Sequence, residues 1–104
     1  MVTLILERVP PTLRGELSRW LMEVRTGVFV GHVSALVRDA LFERCRERMR
    51  DGGVLMIVPA RTEQGFRIQA SGNLSREIVD MDGLYLVREP ARKKPPVSDD
   101  EVPF

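Results

Sequence analysis

The strongest constraint in this chain is the run VLMIV at residues 54–58, an uninterrupted apolar stretch that follows two glycines. A run of this length without a polar residue reads as a central strand of a sheet, with no side left for solvent. A second run, VTLILE at residues 2–7, has the same character, and Pro10 and Pro11 end it. Two such strands favour a sheet covered on both faces.

The remaining segments supply part of that cover. Proline is tolerated in the first turn of a helix, where its missing N–H costs nothing, so a first helix is predicted from about Pro11 to Val24. At this period Leu13, Leu17, Trp20, Leu21 and Val24 share one apolar stripe, flanked by Arg14, Ser18 and Arg25. Gly27 closes the helix, and Val28 to Val30 read as a short strand. Ser34 is a good N-cap for a second helix running to about Arg50, with Val37, Leu41, Cys45 and Met49 as its seam, widened by Phe42. Arginines in its last turns suit the negative end of the helix dipole. RTEQG is a hairpin loop. The strand FRIQAS that follows alternates, with Phe66, Ile68 and Ala70 expected inward. GNLSREIVDMDG reads as a polar connection, and LYLVR as the last strand.

The predicted order is therefore strand, helix, strand, helix, strand, strand, strand. Two helices can cover one face of a small sheet. This gives an α+β sandwich of ferredoxin-like type, with a largely antiparallel sheet and both helices on one face. The other face would then dimerise with a second copy. The chain's 104 residues suit one domain, taken as residues 1–89. Residues 90–104 form a Pro-rich, charged tail without periodicity. Its closing Val102-Pro103-Phe104 follows an acidic run and suits a short peptide that docks on a partner.

Several chemistries are excluded by count. One histidine, His32, and one cysteine, Cys45, make no zinc pattern and no disulfide. No phosphate-binding loop is present. No apolar run is long enough for a membrane span and no secretory leader is evident, so the expected location is the cytoplasm. Net charge is only +1, but arginine far outnumbers lysine, and guanidinium groups grip phosphate bidentately. On one helix Arg14 and Arg25 would stand about 16 Å apart, enough to track several phosphates of a duplex. Glu7 ends the first strand. It reads either as an exposed acid paired with Arg8, or as a Mg²⁺ ligand shared between two copies across a two-fold.

The stretch VPPTLRGELSRWLMEVRTGVFVGHVSALVRDALFE, with TEQGFRIQASG and VDMDGLYLV, resembles CRISPR-associated protein 2 of the type I-E (Cascade) subtype over roughly residues 2–88. The resemblance implies a homodimer that bridges two dimers of the CRISPR integrase and holds the double-stranded prespacer DNA for insertion into the array. This structural role requires no cofactor. The wider family also includes nominal Mg²⁺-dependent endonucleases, and Glu7 occupies their acidic position as candidate catalytic and metal-binding residue; a Mg²⁺-dependent ribonuclease or DNase is thus the alternative function. Arg14, Arg25 and Arg76 match the subtype's DNA-contacting arginines. Thr12, Leu36 and Ser75 stand where relatives carry basic residues, so the basic surface is expected to be thinner here unless Arg8, Arg19 or Arg38 compensates. Glu63 and Asp82 match positions that pair with integrase arginines, and the strand bearing Leu84 and Leu86 belongs to the same docking region.

Overall fold

In the computed structural model, which describes residues 1–81 and 84–88, the chain forms seven strands and two helices. They are β1 (Val2–Glu7), α1 (Pro11–Leu17), β2 (Met22–Arg25), β3 (Val28–Gly31), α2 (Ala35–Arg48), β4 (Gly53–Pro59), β5 (Phe66–Gly72), β6 (Glu77–Met81) and β7 (Leu84–Arg88). The first five strands make one antiparallel sheet in the order β2-β3-β1-β4-β5. Strands β6 and β7 pair with each other in a second, two-stranded sheet. The βαββαβ order from β1 to β4, with β1 between β3 and β4, is the split arrangement of a ferredoxin-like fold.

The core lies between the main sheet and the two helices. Val2, Leu4, Leu6, Phe29, Val54, Met56 and Val58 are buried from the sheet; Leu13, Leu17, Leu41, Phe42 and Cys45 meet them from the helices. Strand side chains alternate between faces, so the same pairings send Ile5, Leu55 and Ile57 to the helix-free face. The two apolar runs are thus two-faced, as their composition requires. The α2 seam is also as expected: Ser34 caps the helix by accepting the Val37 N–H at 3.2 Å, and Val37 and Met49 pack at the margins of the core.

The first helix is shorter than its apolar period suggests. It ends at Leu17, and the Ser18 hydroxyl donates to the Arg14 carbonyl at 3.0 Å. The chain then tightens, with the Trp20 N–H on the Leu17 carbonyl, and re-enters the sheet as β2. The predicted stripe is therefore broken. Leu13, Leu17 and Leu21 are buried, but Trp20 is 55% exposed and Val24 49% exposed. The cause is a two-residue hairpin: Arg25 pairs with Val28 across Thr26-Gly27, and Gly27 has φ +80°. Glycine supplies the positive φ that the second turn position takes here, and this turn outweighs the helical period.

Two further expectations are corrected. Residues 77–81 are a strand and not part of a polar connection. Strand β5 presents its apolar residues to the opposite side from the one expected. Its Ile68 pairs with Ile57 and its Ala70 with Leu55, so Phe66, Ile68 and Ala70 lie on the helix-free face. Arg67, Gln69 and Ser71 lie on the helix side, and Arg67 and Gln69 are exposed. As an edge strand, β5 can leave polar residues there.

The β6–β7 hairpin partly covers the helix-free face. Tyr85 stacks on Phe66 with ring centroids 6.4 Å apart, and its backbone exchanges two hydrogen bonds with the Gln64 amide, at 2.6 and 2.9 Å. Asp82 and the tail, including Val102 and Phe104, lie outside the described residues. Among the described residues no helix is long and apolar enough to cross a membrane.

Two measurements test this arrangement. The chain's one tryptophan, Trp20, should emit at a red-shifted, solvent-exposed wavelength in the native protein, with little further shift on unfolding; a blue native maximum would restore the long helix. A Cβ on Gly27 would meet the Leu6 carbonyl oxygen at 2.5 Å. Gly27→Ala should therefore lower stability in urea by about 1–3 kcal/mol.

Candidate functional site

Strand β1 delivers Glu7 and Arg8 to the end of the sheet where the β5–β6 connection crosses. Glu7 continues the helix-free face of Thr3 and Ile5, and its side chain is 27% exposed. Its carboxylate accepts the Ser75 N–H on both oxygens, at 3.2 and 3.1 Å, and the Ser75 hydroxyl at 3.0 Å. Arg8 sits in the left-handed region at φ +53° and donates to the Asn73 carbonyl at 2.7 Å. Its guanidinium is 3.9 Å from Glu7. The Asn73 amide in turn donates to the Asp51 carbonyl at 3.1 Å. Arg8 is thus tied to the backbone of that connection.

This donor set does not suit Mg²⁺ within one chain. A hard cation needs several oxygen ligands, whereas Glu7 is already engaged by two donors with a guanidinium beside it. Among the described residues no three acids, histidines or cysteines cluster as ligands. Cys45 is buried in the core, which pushes its thiol up to about 12, assisted by the Glu16 charge, and keeps it protonated. It is a core residue, not a nucleophile.

Arg76 follows Ser75 directly and is exposed. Together with Glu7 it lines a cavity of about 290 Å³ between the sheet and the hairpin, floored by Ile5, Leu55, Ile57 and Ile68. Arg14, on α1, has a side chain 30% exposed and stands 3.8 Å from Glu23 on β2. That carboxylate also accepts the Gly27 N–H at 2.9 Å. Arg25 is exposed at the turn end of β2. The two arginines therefore do not share a helix, and the expected single-helix track is replaced by one cation in the helix layer and one on the edge strand beside it.

Arg19 is exposed in the turn after α1, next to Trp20. It lines an open depression with Thr12, Gly15, Glu16 and Arg44. Arg44 donates to Glu16 at 2.9 Å and Arg48 reaches it at 3.4 Å. The Arg44 hydrogen bond is the main reason the Glu16 carboxyl is held below its usual range, with the Arg44, Arg48 and Arg19 charges adding to it. Glu16 reciprocally holds Arg44 above its usual value. Glu63 is exposed in the β4–β5 turn, and Leu84 and Leu86 are exposed on β7 beside Met81. His32 is an exposed residue after β3.

Sequence reasoning missed Ser75 and Asn73 as partners of Glu7 and Arg8. The pairs are 68 and 65 residues apart, and no local pattern links them. A family model for a CRISPR-associated protein (Cas_Cas2CT1978) matches residues 1–86.

Glu23→Gln keeps an acceptor for the Gly27 N–H and removes the charge beside Arg14. The variant should elute from immobilised heparin at higher salt than the parent; unchanged elution would show that Arg14 does not engage a polyanion.

Proposed function

We propose that this chain, which belongs to the CRISPR-associated protein 2 family, is a non-enzymatic DNA-binding subunit of the spacer-acquisition complex. As a homodimer it bridges two integrase dimers and holds the prespacer duplex. The observation that carries this reading is the distribution of its cations. Arg14, Arg25 and Arg76 are half-exposed or exposed, and come from three different parts of the fold. Guanidinium contacts to phosphate give affinity and register without reading base sequence. A subunit that accepts fragments of any sequence needs that kind of contact, which asks for no cofactor. The engagement of Glu7 by Ser75 weighs against the alternative, a Mg²⁺-dependent endonuclease acting through that acid.

The helix-free face supports the dimer. Its apolar residues Ile5, Leu55, Ile57 and Ile68 are only half-buried, and the hairpin leaves a cavity over them. A second copy would complete their burial. The outward face of the hairpin, with Leu84, Leu86 and Met81 exposed, supports docking of the integrase subunit there, with Glu63 at the neighbouring turn. The cytoplasm is the matching location.

Alanine at Arg14, Arg25 and Arg76 tests the proposal in the assembled complex with the integrase. Each should weaken binding of a duplex and flatten its salt dependence by about 0.9 in log–log slope for every phosphate that is no longer neutralised, doubled in a two-fold dimer. Affinities that stay at the parent value across a salt titration would reject the role.

A further inference from the structure

We propose that Glu7 and Arg8 form a clasp that positions Arg76, so that the acid at the end of β1 acts on duplex binding through an arginine and not through a metal ion. The inference rests on the reading of Arg76 as a phosphate contact, and deepens it.

The geometry is that of an interlock between two distant segments. Ser75, the residue immediately before Arg76, is held to Glu7 by both its N–H and its hydroxyl. Two residues further back, the Asn73 carbonyl is held by Arg8 and the Asn73 amide by the Asp51 carbonyl. The Asn73 N–H also donates to the Gly52 carbonyl at 3.0 Å. Arg8 adopts a left-handed backbone that a residue with a Cβ rarely takes, and such conformations persist only where the surroundings over-determine them. Gly52 leaves no room for a side chain, since a Cβ there would fall on the Glu7 and Arg8 carbonyl oxygens. The β1 end, the α2–β4 turn and the β5–β6 connection are thus pinned together at one point. What emerges from that point is Arg76, exposed and lining the same cavity as Glu7. A long side chain anchored at its base loses less freedom on meeting a phosphate.

The clasp makes a prediction whose sign opposes simple electrostatics. Removing a carboxylate from a DNA-binding surface should strengthen binding, and Glu7→Ala and Glu7→Gln should then behave alike. A metal-ligating acid also predicts like behaviour, with both variants losing function. On the clasp reading the two diverge. Glutamine retains a carbonyl oxygen that can accept from the Ser75 N–H and hydroxyl, whereas alanine releases both.

The experiment measures duplex affinity of the full chain, in complex with the integrase, for Glu7→Ala, Glu7→Gln, Arg76→Ala and the double variant Glu7→Ala/Arg76→Ala, across a salt titration with and without a chelator. Amide hydrogen exchange at Ser75 is followed in the free protein. Glu7→Ala should bind about tenfold more weakly, the scale of one charge-assisted hydrogen bond, with the salt slope reduced by about one for each Arg76 that no longer meets a phosphate. Glu7→Gln should stay near the parent. In the Arg76→Ala background Glu7→Ala should add nothing, and the Ser75 amide should exchange faster in Glu7→Ala alone. Stronger binding by both variants, equal losses in both, or a full additional loss in the double variant would overturn the clasp. An Arg76→Ala protein that binds like the parent would instead reject Arg76 as a DNA contact; the clasp itself would then fall only if the Ser75 amide exchanged at the parent rate in Glu7→Ala.

Discussion

The pairing of β1 with β4 sets Leu4, Leu6, Val54, Met56 and Val58 on one face of the sheet and Ile5, Leu55 and Ile57 on the other. Each face must be covered, because exposed aliphatic surface costs about 25 cal/mol for every Å² left in water. The helices bury these residues on the first face, and every large buried side chain of the core meets there. Among the described residues a hairpin lies above the second face, attached through Tyr85, Phe66 and Gln64 at one end and through Glu7 and Ser75 at the other. The surface on which a partner copy is proposed to sit, and the seat of Arg76, are both consequences of a central strand pair that is apolar on two sides.

Three acids among the described residues are engaged within the fold. Glu16 is surrounded by Arg44, Arg48 and Arg19; Glu23 is shared between Arg14 and the Gly27 N–H; Glu7 is taken by Ser75. Exposed pairs of this kind contribute little to stability. Their effect is geometric: each carboxylate fixes a turn, a helix contact or a connection. Arg25 and Arg76 stand exposed among these fixed points, while Arg14 is tempered by Glu23 and Arg8 is committed to the backbone of residue 73.

The parts of the fold that were legible in the sequence are those decided by local composition. The apolar runs at 2–7 and 54–58, the Ser34 cap and the seam of α2 follow from residue type and period alone. The first helix is shorter than its period predicts because Leu13, Leu17, Trp20, Leu21 and Val24 satisfy that period over a stretch where the Thr26-Gly27 turn and the open edge of β3 offer a strand. The facing of β5 is not legible locally, because alternation reveals that two faces differ, not which of them meets the helices; its register against Leu55 and Ile57 decides that. The site divides in the same way. Glu7 and the arginines stood out by type and position, but their roles depend on Ser75, Asn73 and Glu23, which approach them only in the folded chain.

By itself the sequence determined that this protein would build an α+β sandwich around two strands apolar on both sides, and that it would carry arginine without a metal-binding or nucleophilic constellation of histidine and cysteine. These follow from composition and periodicity, which are local properties. Its motifs, also local, carried the resemblance to the CRISPR-associated protein 2 family. Only the tertiary structure decided that Arg14 and Arg25 belong to different layers, that the apolar side of β5 turns away from the helices, and that the acid ending β1 holds a serine from the far end of the chain. Those outcomes depend on strand register and on contacts across more than sixty residues of sequence, and neither is encoded at any one position.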